Sequence, residues 1–160
     1  ARAATMMTAK KIGGLIVFER EAMLDEFILE RGTRLDSNVT KELLYAIFIP
    51  MMENPLHDGA AILRNFQIRE AGTFLPLSTN TTLDRTLGTR HRAGLGITEQ
   101  TDAVAVVISE ERGAISLCHR GVIRQNLTPA ELRRELLQIL SSEKAKPEAA
   151  TTAGEGTADA

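Results

Sequence analysis

Two short stretches of this chain carry residue types whose spacing could do chemistry. In Leu56-His57-Asp58-Gly59-Ala60-Ala61 an imidazole and a carboxylate stand side by side ahead of small residues. Adjacent side chains point opposite ways in an extended strand, but in a loop leading into a strand both can turn toward one ion. A carboxylate is a hard oxygen donor suited to Mg2+ or Mn2+, and an imidazole suits Mn2+ better. Gly59 would let a ligand approach the backbone closely. The same residues also read as a plain turn, because Asp-Gly is a common hairpin signal.

The second stretch is Gly88-Thr89-Arg90-His91-Arg92, a dense set of donors for an anion. If a helix begins here, its free backbone N–H groups join the set, and a phosphate chain is the ligand it fits. The competing reading is a solvated basic turn paired with Glu99, Asp102 or Glu110. Arginines at a helix N-terminus oppose the helix dipole, which favours the version with a bound anion. A weaker candidate is Ser109-Glu110-Glu111, at the end of an apolar strand. Strand ends in α/β sheets commonly face ligands, although these residues also suit a hairpin turn.

The elements that must position these groups follow from the apolar pattern. Residues 12–18 (IGGLIVF) and 102–109 (DAVAVVIS) read as buried strands. Residues 60–63 and 67–74 read as two strands joined by a tight turn near Asn65, and 114–119 as the second arm of a hairpin turning at 110–113. A weak helix is expected over 21–29, stopping at Gly32. Ser37 is expected to cap a helix through Val39, Leu43, Leu44, Ile47 and Phe48, ended by Pro50. Residues 50–59 form a Pro-rich loop and 78–85 a polar one. A helix could start at Leu87, weakened by Gly94 and Gly96. The last helix has Thr128 as cap, Pro129 in the first position, Glu131 completing a capping box, and an apolar face of Leu132, Leu136, Leu137, Ile139 and Leu140. With roughly six or seven strands and four or five helices, the expected class is α/β: a mixed, mainly antiparallel central sheet flanked by helices.

Composition narrows the function. The chain has 160 residues, 43% of them hydrophobic, enough for one domain with a real core. The domain is expected over 1–140. Residues 141–160 contain no Val, Ile, Leu, Met or aromatic residue and are expected to form a disordered tail. They also account for the whole net charge of −2, so the domain is neutral and no nucleic-acid partner is expected. Cys118 is the single cysteine, which excludes an intrachain disulfide and a cysteine-based zinc site. Its place in an apolar run reads as packing. No apolar run approaches the ~18–20 residues of a membrane span, and residues 1–9 lack a signal-peptide layout. An upstream anchor stays open. No Walker A pattern, G-x-G-x-x-G after a strand, H-E-x-x-H or serine nucleophile elbow is present.

Several segments in order resemble the catalytic domain of bacterial diadenylate cyclases: KIGGLIVFER (11–20), PLHDGA (55–60), TFLPLS (73–78), LGTRHRAGLGITE (87–99) and VVISEERGAIS (106–116). The resemblance covers about residues 10–140. The PLHDGA and GTRHRA forms are most similar to the membrane-anchored class. The resemblance implies a nucleotidyltransferase that joins two ATP into cyclic di-3′,5′-adenylate with release of two pyrophosphates. Each 3′-hydroxyl attacks the α-phosphate of the other ATP across a face-to-face homodimer, assisted by Mg2+ or Mn2+. Carried over by position, Asp58 holds the metal or draws the proton from the 3′-hydroxyl, His57 contacts the metal and Glu111 helps hold it. Gly59 and Ala60 give a small-residue surface beside ribose and base. Phe74 and Leu75 match the adenine contacts. Thr89, Arg90 and Arg92 match the phosphate-binding set, Ser109 a phosphate contact, and His91 braces the loop. The two arginines and Asp58 are the expected catalytic residues. Position 74 is often Tyr in this class and Gly94 often a slightly larger residue; with Phe74, stacking survives but any role of a hydroxyl is lost. The resemblance also implies a full-length protein at the cytoplasmic face of the bacterial membrane, this chain itself soluble, with a membrane-bound regulator and a cell-wall precursor enzyme as partners. The alternatives are a catalytically silent nucleotide sensor and a plain scaffold domain.

Overall fold

The computed structural model describes residues 1–142. In chain order the elements are α1 (Arg2–Ala9), β1 (Gly14–Phe18), β2 (Thr33–Asn38), α2 (Lys41–Ile47), β3 (Ala60–Arg64), β4 (Gln67–Thr73), α3 (Thr89–Gln100), β5 (Val104–Ile108), β6 (Ile115–His119), β7 (Val122–Leu127) and α4 (Pro129–Ser141). The strands form one sheet in the order β2-β4-β3-β1-β5-β6-β7. Only β1 and β3 pair in parallel; the other neighbours are antiparallel. This is the expected mixed, mainly antiparallel sheet flanked by helices.

Strand alternation divides the core in two. Ile16, Val104, Val106 and Ile108 point to one face, where they meet Met7 of α1, Leu44 and Ile47 of α2, and Leu132 and Leu136 of α4. Leu15, Val17, Ala105 and Val107 point to the other, under Ala93, Leu95 and Ile97 of α3. Both faces of the central strands are therefore apolar, which is why 102–109 reads as a continuous hydrophobic run.

Sequence expectation and structure part at several places. Residues 21–29 hold only a 3-10 turn, Leu24–Glu26. The N–H groups of Glu21 and Ala22 donate to the Asp102 carboxylate and that of Leu24 to the Glu19 carboxylate, which ties this segment to residues flanking β5 and β1. Ser37 is not a cap: it lies in β2, and Thr40 accepts from the Leu43 N–H at 3.0 Å to start α2. β2 and β7 were not located in the sequence, because both are sheet edges with mostly exposed residues and no apolar alternation. α1 was not located either, and its buried face is only Ala3, Ala4 and Met7. The capping box of α4 forms as read, with Thr128 N–H donating to Glu131 at 2.8 Å and Glu131 N–H to Thr128 at 3.2 Å. This helix runs through Ser141, one residue into the expected tail; 143–160 lie outside the described residues.

Candidate active site

Asp58 is delivered by a loop with a defined shape. The Asn54 amide donates to the carbonyls of Ile47 and Ile49 at 3.0 and 2.9 Å, tying the loop to the end of α2. Its side-chain oxygen accepts from the Leu56 N–H at 3.1 Å. The Asn54 carbonyl lies 2.5 Å from His57 Nδ1. A carbonyl can only accept, so Nδ1 is the donor in this contact. Gly59 then turns the chain with φ +114° into β3, and Gly72 answers from β4 with φ +75°. A side chain on Gly59 would run into the backbone of Gly72 and Thr73, and one on Gly72 into the Pro55 carbonyl. These two glycines let the loop lie directly on the end of β4, which fixes where Asp58 stands.

Arg90 is delivered by α3. Gly88 precedes this helix with extended backbone and no side-chain cap, so first-turn N–H groups are left for a ligand. Gly94 and Gly96, which weaken the helix in propensity, have a packing reason. A β-carbon on Gly96 would meet the Pro76 carbonyl at 2.3 Å, and one on Gly94 would press on Val107 and Leu15. Their absence lets α3 settle onto the sheet and lets segment 76–78 run over it, with Ser78 N–H donating to the Arg92 carbonyl at 2.9 Å.

The two deliveries meet. A cleft of about 420 Å3 opens where the N-terminal ends of the parallel pair β1 and β3 face the C-terminal ends of β4 and β5 and the start of α3. Its lining includes Asp58, Gly59, Phe74, Leu75, Thr89, Arg90, His91, Ser109 and Glu111. Phe74 is 41% exposed, an aromatic face open to a planar ligand, while Leu75 is buried. Arg90 Nη1 stands 3.5 Å from Glu110 Oε2. Ser109 closes the β5–β6 turn: its carbonyl accepts from Gly113 N–H and its N–H donates to the Ala114 carbonyl, both at 2.9 Å. Burial, then the charges of Arg112 and Arg90, hold the His91 pKa below that of an ordinary imidazole.

Three of the expected residues do not line this cleft: His57, Ala60 and Arg92. Ala60 is fully buried in β3, paired with Leu15 and Thr73. His57 is turned to the Asn54 carbonyl. Among the described residues no three His, Cys, Asp or Glu side chains cluster as a metal site, so His57, Asp58 and Glu111 are not gathered on one point. Thr73, Leu77 and Thr86 line the cleft although neither candidate stretch contains them, and Gly88 lines it as the first residue of the anion-binding stretch. Thr73 and Leu77 flank Phe74-Leu75-Pro76, so the polar-apolar break after β4 is the signal that could have found them. Glu110, also in the lining, belongs to the weaker Ser109-Glu110-Glu111 candidate.

A family model described as the DisA bacterial checkpoint controller nucleotide-binding (DAC) domain matches residues 1–123. The chain belongs to the DAC family. A diadenylate cyclase of Listeria monocytogenes (strain 10403S) is 43% identical over 140 residues, covering 88% of this chain and 50% of the relative. The cyclic di-AMP synthase CdaA of Bacillus subtilis (strain 168) is 41% identical over 135 residues, covering 84% of this chain and 48% of that protein. The chain thus spans about half the length of these curated relatives. Among solved structures, a double mutant of DacA from Staphylococcus aureus aligns with TM-score 0.78 at 44% identity, covering 85% of this chain and 88% of that one. A protein from Bacillus cereus titled a hypothetical membrane spanning protein aligns with TM-score 0.74 at 42% identity, covering 79% and 60%. Among the described residues of this DAC domain no helix is long and apolar enough to cross a membrane.

Proposed function

We propose that this chain is a diadenylate cyclase, a nucleotidyltransferase that condenses two ATP into cyclic di-AMP and two pyrophosphates. The observation that carries the reading is the convergence of Asp58 and Arg90, 32 positions apart, on one cleft beside an exposed aromatic ring. Phe74 stacks on the adenine and Leu75 closes the pocket behind it. Thr89, Arg90 and the free N–H groups of α3 hold the phosphates, with Ser109 opposite. Asp58 faces the 3′-hydroxyl, accepts its proton and orients it. Most of the catalysis is positioning and charge neutralisation on the leaving pyrophosphate.

The donor set fits a divalent ion completed by the substrate. Mg2+ is typically held by one or two carboxylates plus phosphate oxygens; the cleft presents three exposed carboxylates, Asp58, Glu110 and Glu111, and with Glu110 engaged by Arg90, Asp58 and Glu111 are the two that would hold the ion. Bound there, Mg2+ or Mn2+ would neutralise phosphate charge and lower the pKa of the attacking hydroxyl. A single cleft holds one ATP, so the reaction needs a second chain presenting its own cleft face to face. By resemblance Arg92 belongs to the same phosphate-binding set as Thr89 and Arg90, although it lies outside the cleft lining. The full-length protein sits at the cytoplasmic face of the membrane, a reading supported by the likeness to the membrane-anchored class and to the Bacillus cereus protein. A membrane-bound regulator and a cell-wall precursor enzyme are its proposed partners.

The test is incubation of the chain with ATP and Mn2+ or Mg2+, followed by chromatography. Cyclic di-AMP is expected, with specific activity rising as protein concentration drives pairing of two chains. Binding of ATP with no product at any concentration would overturn the enzyme in favour of a nucleotide sensor.

A further inference from the structure

Gly13 immediately precedes β1 and Gly14 is its first residue, and the missing β-carbons of the two neighbours face different surroundings. The space beside Gly14 is taken by the core: a β-carbon there would meet Met7 Cε at 2.5 Å and the Phe48 ring at 3.0 Å. The space beside Gly13 is taken by the active site. A β-carbon there would lie 2.6 Å from Arg90 Nη1, 3.1 Å from Arg90 Cζ and 3.2 Å from Glu110 Oε2. Carbon contacts lie at about 3.5–4.0 Å, so the guanidinium occupies the volume a side chain would fill. Gly13 is not among the residues with positive φ. Its backbone would accept alanine, and turn geometry does not explain the glycine.

We infer that Gly13 is a positioning residue: its missing β-carbon is what allows the Arg90 guanidinium to stand in the cleft beside Glu110. The inference deepens the proposed function, because it rests on Arg90 holding substrate phosphate. The atom that Gly13→Ala meets first is the end of a long flexible side chain, not backbone. The fold can therefore absorb the substitution by moving the guanidinium, which stays charged but leaves its place. Glu110 contributes to the same arrangement: its Oε2 receives Arg90 at 3.5 Å and also borders the space beside Gly13. A misplaced donor loses much of its value, since phosphate recognition depends on where the N–H groups point.

The experiment measures binding of ATP and of adenosine by calorimetry to the unsubstituted chain, Gly13→Ala, Arg90→Ala and the double variant. Gly13→Ala should weaken ATP binding about tenfold, as expected for a shifted positioning group, and leave adenosine binding unchanged. In the Arg90→Ala background it should add nothing, because the group it displaces is gone. If Gly13→Ala alone lowers the thermal midpoint, the double variant should recover it for the same reason. Unchanged ATP affinity in Gly13→Ala, or an equal further loss in the Arg90→Ala background, would overturn the role of Gly13 and leave the phosphate reading of Arg90 standing. Full ATP affinity in Arg90→Ala would overturn both.

Discussion

Gly59 lies flat against Thr73: a β-carbon on the glycine would sit 2.9 Å from both the backbone N and the backbone O of the threonine. The loop that carries the Asp58 carboxylate and the strand that leads to Phe74 are thereby held at fixed separation, with no side chain between them. Gly59→Ala has to place a β-carbon against rigid backbone and keep φ near +114°. The expected cost is about 2–4 kcal/mol, combining a strained φ with a backbone clash, read as a fall in denaturant midpoint together with loss of cyclase activity. A variant as stable as the parent would show that the loop is free to move.

Asp58→Asn keeps the shape of the side chain but removes the negative charge and most of its basicity. Turnover should fall by at least about 100-fold, the lower end for loss of a general base, while ATP affinity changes little. Product chromatography and calorimetry on the same preparation check both halves.

His91 links stability to pH. Burial and two nearby arginines lower its folded-state pKa from about 6.5 in the unfolded chain. Between the two values the unfolded state binds a proton that the native state does not. Stability should therefore fall as pH drops below about 6.5, and this loss should level off below the folded-state pKa. His91→Gln should flatten that part of the curve in thermal melts taken from about pH 7.5 to 5. An identical slope in the variant would assign the dependence to other groups.

Cys118 is fully buried in β6, and burial pushes its thiol pKa up to about 12. Ellman's reagent at about pH 8 should label it only after denaturant is added, because the thiolate is the reactive form. Immediate labelling of the native chain would contradict its place in the core.

The start of α2 separates two hydroxyls three residues apart. Thr40→Ala removes the acceptor for Leu43 N–H and should cost about 1 kcal/mol. Ser37 Oγ is buried with no hydrogen-bond partner among the described residues, so Ser37→Ala should be neutral or slightly stabilising. Urea midpoints of the two variants decide which hydroxyl is the cap.

Elements with a local signature were legible along the chain. Residues 102–109 announce a buried strand by their apolar run, and 128–140 announce a helix by cap, proline and periodic leucines. Edge elements were not: β2 exposes most of its residues, and its existence depends on pairing with β4, some 35 positions later. The same holds for 21–29, whose path is fixed in part by hydrogen bonds from Glu21 and Ala22 N–H to Asp102, about 80 positions later.

The sequence by itself determined which groups are available for chemistry. Residue type sets charge, proton affinity and metal preference, and the motifs around Asp58 and Arg90 could be read without coordinates. Tertiary structure alone decided which of them share a volume. Asp58, Phe74, Arg90 and Glu111 meet in one cleft, whereas Ala60 is sealed into β3 and His57 and Arg92 stand outside its lining. The physical reason is that direction in space comes from contacts distant along the chain. Gly59 against Thr73, Gly96 against Pro76 and Gly13 against Arg90 are close approaches set by sheet register and helix packing, and no local pattern encodes them.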